Sequence, residues 1–224
     1  MSTALSTTQP ASFVPEPPPR TAKDIREQVQ LIQDVMKEVM QEGQHYGVIP
    51  GTERKDKDGK DISKKTLLKP GAEKLCLTFR LAPSYTIAEE HDGAHLTITS
   101  TCTLTSVRTG RLLGTGMGSC STKEKKYAYS QAVRTCPACS KQAIIVGKPE
   151  FGGGYVCFKK KDGCGAKFKL GDPAIEAQPA GRIPNEYLAD AYNTVLKIAN
   201  KRSLVAAVLN VTAASDIFTQ DVGD

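Results

Sequence analysis

The chain has 224 residues, of which 39% are hydrophobic, and its formal net charge is +6 at pH 7. This length allows one large domain or one domain with a small insertion, and the hydrophobic content is enough to form a core. No stretch approaches the roughly 18–20 consecutive apolar residues that a membrane-spanning helix requires, and the N-terminus lacks the basic-then-apolar pattern of a signal peptide. We therefore expect a globular, cytoplasmic protein with no membrane partner.

The N-terminal residues are rich in Ser, Thr and Pro and offer too little apolar surface to offset the entropy cost of ordering. We therefore predict a disordered tail over residues 1–20. Thr21 and Asp24 then resemble a capping box, which marks a helix N-terminus. Apolar residues recur at helical spacing, at Ile25, Val29, Ile32, Met36 and Met40. The pattern predicts a first helix over residues 22–43.

Residues 43–70 combine Gly, Pro and alternating charges, which predicts a long loop with a solvated tip. The last part of this loop carries lysines that could contact phosphate or simply remain in solvent: Lys64, Lys65 and Lys69. A short helix is predicted next, over residues 71–81. Its inward-facing residues are expected to be Leu75, Cys76 and Phe79.

The segments 84–90, 94–107 and 111–121 are rich in Thr, Ser, Val, Ile and Tyr with rough period-two alternation, and turn signals separate them. This pattern predicts an antiparallel meander of three strands. The sequence GTGMGS at residues 114–119 resembles a fragment of a nucleotide-binding loop, but no amphipathic helix follows it. We interpret it as a twisted strand whose backbone lies close to a neighbouring element. The chain contains no Walker A pattern.

Basic residues and aromatic rings are interleaved after the last predicted strand, at Lys123, Lys125, Lys126 and Tyr127. This combination suits single-stranded nucleic acid, because phosphates attract cations and unstacked bases can lie on a ring. A solvated strand end explains these residues equally well. The wider region of residues 123–169 contains eleven basic against three acidic residues, an excess larger than the net charge of the whole chain.

Four of the seven cysteines form a C-x2-C pair and a wider C-x6-C pair: Cys136, Cys139, Cys157 and Cys164. Paired knuckles of this kind supply the four thiolates of a structural zinc site, which leaves no open position for catalysis. The sequences AIIVG and YVCFK between the pairs predict the strands of a small ribbon. The alternative is four cysteines packed as small hydrophobic residues. The other three cysteines are expected in the core: Cys76, Cys102 and Cys120.

A Pro-, Gly- and Ala-rich connector over residues 171–184 leads to a final long helix, for which Asn185 is the predicted N-cap. Its expected buried side consists of Leu188, Ala191, Tyr192, Val195, Ile198, Ala199, Leu204, Val205, Val208 and Leu209. Three basic residues interrupt this apolar helix: Lys197, Lys201 and Arg202. Taken alone, these charges are compatible with an ordinary solvated face.

A resemblance to a known family lies in the order of the elements and in three segments: HYGVIPGT, KPGAEKL at residues 69–75 and NTVLKIANKRSLVAAVLNVTAASDIFTQD at residues 193–221. The chain resembles the phage and prokaryotic single-strand annealing proteins of the Rad fifty-two superfamily. The resemblance implies a β-β-β-α core and assembly into rings or helical arcs. It also implies a groove between sheet and long helix that holds single-stranded DNA. Residues 201–204, Lys-Arg-Ser-Leu, match the sequence on the long helix where members of that family contact DNA in the groove. The core of the eukaryotic members has no zinc ribbon, so this chain differs from them there.

These observations predict an α+β fold in which an antiparallel β-meander packs on a long C-terminal helix. Residues 21–135 and 171–224 would form the core, and residues 136–170 an inserted zinc ribbon. We expect a non-enzymatic protein that anneals complementary strands without ATP during recombination and repair. Its expected partners are single-stranded DNA, further copies of itself, and a single-strand-binding protein or a phage exonuclease. The alternative is a zinc-ribbon adaptor for replication or transcription proteins; a nuclease or deaminase is disfavoured because no catalytic acidic cluster or general-base motif is present.

Overall fold

A computed structural model describes residues 18–49, 53–63 and 65–218 of the chain. Its helices are α1 (Ala22–Glu38), α2 (Lys69–Thr78), α3 (Lys125–Ala128), α4 (Pro173–Glu176) and α5 (Tyr192–Thr212). Its strands are β1 (Tyr46–Gly47), β2 (Thr66–Leu67), β3 (Leu81–Asp92), β4 (His95–Ser106), β5 (Leu112–Ser121), β6 (Tyr129–Ala132), β7 (Ile144–Val146), β8 (Tyr155–Cys157), β9 (Lys167–Phe168) and β10 (Gly181–Pro184). Most of the predicted tail, residues 1–17, and Lys64 lie outside the described residues.

The predicted capping box at the start of α1 is confirmed. The Thr21 hydroxyl accepts a hydrogen bond from the Asp24 amide at 3.2 Å, and the Asp24 carboxylate accepts one from the Thr21 amide at 2.7 Å. The helix ends at Glu38, before the predicted end at residue 43. Ile32 is fully buried, but Ile25 is 52% exposed, so only part of the predicted apolar stripe contacts the core.

The three predicted strands form an antiparallel sheet in the order β3-β4-β5. The central strand β4 shows strict alternation, and its buried residues are Leu96, Ile98, Ser100, Cys102 and Leu104. These side chains face α5, which packs across β4 and β5. The prediction of a meander under the C-terminal helix is therefore confirmed. The alternation in β4 arises because α5 covers only one face of the sheet.

The glycines of β5 allow α5 to lie directly on the strand backbone. A Cβ atom on Gly116 would lie 2.1 Å from the Ala207 amide nitrogen, and one on Gly118 would lie 2.4 Å from the Ser203 amide nitrogen. Ser203 and Ala207 are one helical turn apart and are both fully buried. The interpretation of residues 114–119 as a strand in close backbone contact is confirmed.

The prediction that Asn185 caps the final helix is wrong. A 3-10 turn at Leu188–Ala191 precedes α5, and Ala191 occupies the N-cap position without a side-chain hydrogen bond. The Asn185 side chain instead donates to the Tyr127 carbonyl at 2.9 Å and accepts from the Tyr187 amide at 3.0 Å. Asn185 directly follows β10, which pairs with β6. Its side chain therefore links the end of β10 to the chain just before β6 rather than starting a helix.

Residues 135–178 form a separate unit, here called the insertion, with a small core of their own. Strands β7, β8 and β9 make its antiparallel sheet. Its buried residues are Cys136, Ala143, Ile144, Tyr155, Cys157 and Ile175. Ile175 lies on α4, and Gln178 exchanges hydrogen bonds with the Thr135 backbone at 2.7 and 3.0 Å, so the unit extends past the predicted boundary at residue 170.

A two-stranded antiparallel stalk, formed by β6 and β10, connects the insertion to the main core. Ala132 pairs with Gly181 at the end of the stalk next to the insertion, and Tyr129 pairs with Pro184 at the other end.

None of the helices in the described ranges is long and apolar enough to cross a membrane.

The close contact between β5 and α5 makes Gly116 sensitive to any added side chain. We expect Gly116→Ala to lower the free energy of unfolding by about 1–3 kcal/mol, because the new methyl group would overlap the backbone at Ala207. Urea unfolding would measure the change. Met117→Ala is the matched control, because Met117 is 64% exposed on the same strand and should change stability little. Equal urea midpoints for Gly116→Ala and the unmodified protein would contradict the packing described.

Candidate functional site

The four predicted zinc ligands lie together. All four sulfur atoms are within 4.8 Å of one another. The Cys136–Cys164 and Cys139–Cys157 sulfur distances are 3.8 and 3.6 Å. Four sulfurs placed tetrahedrally about 2.3 Å from a zinc ion would be about 3.8 Å apart. The cluster can therefore hold a metal ion such as zinc, and its spacing agrees with that metal.

Two tight turns place these sulfurs. The first pair flanks a turn closed by a hydrogen bond from the Ser140 amide to the Cys136 carbonyl at 2.8 Å. In the second pair, the Cys164 amide donates to the Cys157 sulfur at 3.2 Å. A Cβ atom on Gly163 would lie 2.6 Å from that sulfur, so glycine is required there. The wide C-x6-C spacing thus folds into a loop that returns to the same sulfur cluster.

The thiols of the cluster differ in acidity. The hydrogen bond from the Lys141 amide is the main reason why the pKa of Cys139 is lowered to about 6. Burial raises the pKa of Cys157 to about 11. A divalent cation bound among the sulfurs would favour the thiolate form of both. Because four thiolates complete a tetrahedral site, the expected role of the metal is structural.

The remaining cysteines occupy the main core, as predicted. Cys76, Cys102 and Cys120 are at most 7% exposed. Burial raises the pKa of both Cys76 and Cys102 to about 11. Thiols with such a raised pKa carry little thiolate at neutral pH, so they are poor nucleophiles and metal ligands.

A cleft of ≈ 450 Å³ lies between two segments that are far apart in sequence, residues 44–70 and residues 201–205. Lys69, at the start of α2, forms one side, and Lys201 and Arg202 on α5 form the other. The rest of the lining is mostly apolar and consists of Gln44, Ile49, Thr66, Leu67, Leu68, Pro70 and Val205. The lining of the cleft therefore combines three cationic residues with mostly apolar ones. We call it the α2–α5 cleft.

Arg202 is part of an ion-pair network at the edge of this cleft. Its guanidinium donates to both carboxylate oxygens of Glu124, at 2.7 and 3.4 Å, and to the Ser119 carbonyl. Lys126 lies 3.2 Å from the same carboxylate. Burial works against ionisation of Glu124, but hydrogen bonds from Arg202, Cys120 and Lys126 outweigh it and lower the pKa of this carboxyl to about 2. Glu124 thus partly neutralises the Arg202 and Lys126 charges.

The other predicted DNA contacts divide into paired and unpaired lysines. Three form exposed ion pairs, namely Lys65 with Glu42, Lys69 with Glu73 and Lys123 with Asp92. Within the described ranges, no ion pair involves Lys125, Lys197 or Lys201. Exposed ion pairs contribute only about 0–1 kcal/mol, so an incoming phosphate can replace them.

Tyr127 is only partly accessible. Its ring packs against the cluster that contains Leu96 and Val195, and the Lys126 ammonium lies 4.6 Å from the ring centroid. The more exposed ring is that of Tyr129, which is 44% exposed and carries the Arg182 guanidinium 3.7 Å above its centroid. Sequence reasoning missed Arg182 because only the pairing of β6 with β10 brings it to Tyr129.

Comparison of the chain with protein-family models, with curated proteins and with solved structures found no match. The resemblance to single-strand annealing proteins therefore stays a prediction.

The sulfur cluster predicts stoichiometric metal binding. Protein purified under reducing conditions with zinc in the medium should carry about one zinc ion per chain, because the four thiolates complete one tetrahedral site. Cys157→Ser should lose most of this zinc, as measured by inductively coupled plasma mass spectrometry. Cys76→Ser also removes a buried thiol, but from the main core, and should retain the metal. Unchanged zinc content in Cys157→Ser would rule out the proposed ligand set.

The Glu124 network predicts a pH-dependent contribution to stability. The pKa of Glu124 is lowered from 4.5 to about 2, so its stabilising effect is complete above pH 4.5 and disappears as the pH falls towards 2. At neutral pH, Glu124→Gln should lower the free energy of unfolding by about 1.5 kcal/mol, the size of a hydrogen bond to a charged group. The difference between variant and unmodified protein should shrink below pH 4.5, as measured by urea unfolding across pH.

Glu27→Gln provides the control, because Glu27 pairs with Lys23 on the exposed surface of α1. It should change stability little at any pH. A stability difference for Glu124→Gln that is constant between neutral and acidic pH would show that the network does not depend on the charge of Glu124.

Proposed function

We propose that this protein binds single-stranded DNA along the α2–α5 cleft and promotes ATP-independent annealing of complementary strands in recombination or repair. The observation that carries the proposal is the convergence of Lys69, Lys201 and Arg202 on one cleft. These residues belong to two of the segments that carry the family resemblance, residues 69–75 and 193–221. The proposed role is non-catalytic.

The chemistry of the cleft suits a nucleic-acid backbone. Cations on both sides can neutralise successive phosphates, and this electrostatic contact does not depend on base sequence. Lys69 stands at the N-terminus of α2, where the helix dipole adds positive potential. If the backbone is held in this way, the bases stay available for pairing with a second strand.

The ion pairs around the cleft do not prevent this binding. Arg202 is 40% exposed, and it shares the Glu124 carboxylate with Lys126. A phosphate can therefore approach Arg202 from solvent while Glu124 keeps Lys126 as a partner. Lys201, which has no ion-pair partner in the described part of the chain, lies next to Arg202 in sequence and gives the strand a first point of contact.

The sheet also offers surfaces for the proposed self-assembly. The meander has the order β3-β4-β5, so each outer strand has one edge without a partner strand among the described residues. Such edges readily pair with a strand of another chain. Leu112 and Leu113 on β5 are 58% and 44% exposed, which adds apolar surface near one of these edges. Assembly into a ring or helical arc would place several clefts along one DNA strand.

A zinc-ribbon adaptor is the second candidate function. It is favoured by the exposed apolar residues of the insertion, Val146 at 70% and Leu170 at 74% exposure. An adaptor would bind a protein of replication or transcription through this surface. It would bind DNA weakly and would not distinguish single strands from duplex. A single-strand-binding protein or a phage exonuclease remains a proposed partner under the annealing hypothesis.

Removal of the cleft cations tests the proposed function. Lys201→Ala combined with Arg202→Ala should weaken binding to a fluorescent oligo-dT by roughly tenfold or more in low salt, because two phosphate contacts are lost. The slope of log affinity against log salt should fall by about 1.4, which corresponds to about 0.7 per phosphate for single strands. Fluorescence anisotropy measures both quantities, and strand annealing of complementary oligonucleotides should slow in parallel.

Lys23→Ala is the matched control, because Lys23 is an exposed lysine on α1 that is not part of the cleft lining. It should leave affinity and annealing unchanged. If the double variant binds and anneals like the unmodified protein, the α2–α5 cleft is not the DNA site. Equal and weak binding of single strands and duplex by the unmodified protein would favour the adaptor function.

A further inference from the structure

A second pocket lies where the insertion meets the stalk. Its volume is ≈ 220 Å³, and we call it the stalk pocket. Arg134 and Lys161 supply its charge, and no acidic residue is found among the described residues that line it. Ile144, Val146 and Gly181 form part of its apolar wall. The pocket is therefore positively charged, and its residues are separate from those of the α2–α5 cleft.

Arg134 has an unusual environment in this pocket. Its Nε atom is buried and has no hydrogen-bond partner among the described residues. The guanidinium lies 4.8 Å from the ring centroid of Tyr155, which is itself buried. Buried polar groups in proteins almost always have a partner, and an exception often marks the position of an ion or ligand. No acceptor among the described residues therefore occupies the Nε donor of Arg134.

The acidic residue near Arg134 has other partners. Glu176 on α4 accepts hydrogen bonds from the Tyr155 hydroxyl at 3.0 Å and from the Gly171 amide at 2.8 Å. These contacts fix the Tyr155 ring on which the guanidinium lies. The cation–π contact with this ring in turn restrains the Arg134 guanidinium beside the pocket.

We propose that the stalk pocket binds a phosphate group through the Arg134 guanidinium and the Lys161 ammonium. A guanidinium presents parallel N–H donors that match two phosphate oxygens, and a second cation balances the remaining charge. The pocket is larger than a single phosphate requires, and its apolar wall leaves room for an attached sugar. The phosphate can belong to a nucleic-acid strand or to a free nucleotide, because both present the same group.

Protection of Arg134 from phenylglyoxal tests this proposal on the full-length, zinc-loaded protein. Phenylglyoxal modifies guanidinium groups, and mass spectrometry of peptides reports the modified fraction of each arginine. Inorganic phosphate should protect Arg134 severalfold more than sodium chloride of equal ionic strength. Arg26, which is exposed on α1, should show no such difference and is the internal control. The absence of specific protection of Arg134 by phosphate would overturn the proposal.

Variants of the neighbouring lysines sharpen the test. Lys161→Gln should reduce the protection by phosphate severalfold, because Lys161 lines the pocket. Lys159→Gln is the matched control, because Lys159 lies in the same 3-10 turn but is not among the residues that line the pocket. Zinc content confirms that both variants fold. Equal protection in Lys161→Gln and Lys159→Gln would also overturn the proposed site.

The source of the phosphate is distinguished by comparing thymidine monophosphate with oligo-dT. Protection by oligo-dT at a much lower phosphate concentration than the mononucleotide would identify a nucleic-acid strand as the ligand. Equal protection per phosphate would identify a free nucleotide. The proposal is independent of the annealing function, because the Lys201→Ala and Arg202→Ala double variant should retain protection of Arg134 by inorganic phosphate.

Discussion

The contact between the backbones of β5 and α5 determines the position of the α2–α5 cleft. Gly116 and Gly118 leave no side chain between strand and helix, so α5 lies unusually close to the sheet. At Gly118 the nearest helix atoms belong to Ser203 and Arg202. Arg202 therefore lies against the outer strand of the sheet, where its side chain reaches the Ser119 carbonyl and Glu124. A bulkier strand would move the helix outward and separate these charges from the sheet.

Features with a local or periodic cause could be predicted from the sequence. The alternation of β4 determines which face is buried, and the spacing of the four cysteines specifies two short turns that can share one metal ion. The pairing of Arg202 with Glu124 could not be predicted, because it depends on the exact approach of α5 to the turn after β5. Asn185 had the right residue type for an N-cap, but tertiary contacts with Tyr127 determine its position instead.

The insertion and the main core use different sources of stability. The main core buries large apolar side chains from α1, α2, β4 and α5. The insertion buries only a few apolar residues, and two of its fully buried residues are the cysteines Cys136 and Cys157. A unit this small usually needs a crosslink or metal, so occupancy of the sulfur cluster and folding of the insertion are expected to be coupled. The main core does not share these residues and has no such requirement.

The pairing of Ala132 with Gly181 brings the two ends of the insertion together. The chain leaves the main core and returns to it at neighbouring positions on two antiparallel strands, a geometry that a two-residue hairpin turn also satisfies. A shorter chain that lacks the insertion would therefore close the stalk with a simple turn and keep every contact of the sheet with α5. A segment placed at this point adds surface without requiring any change in the contacts of the main core.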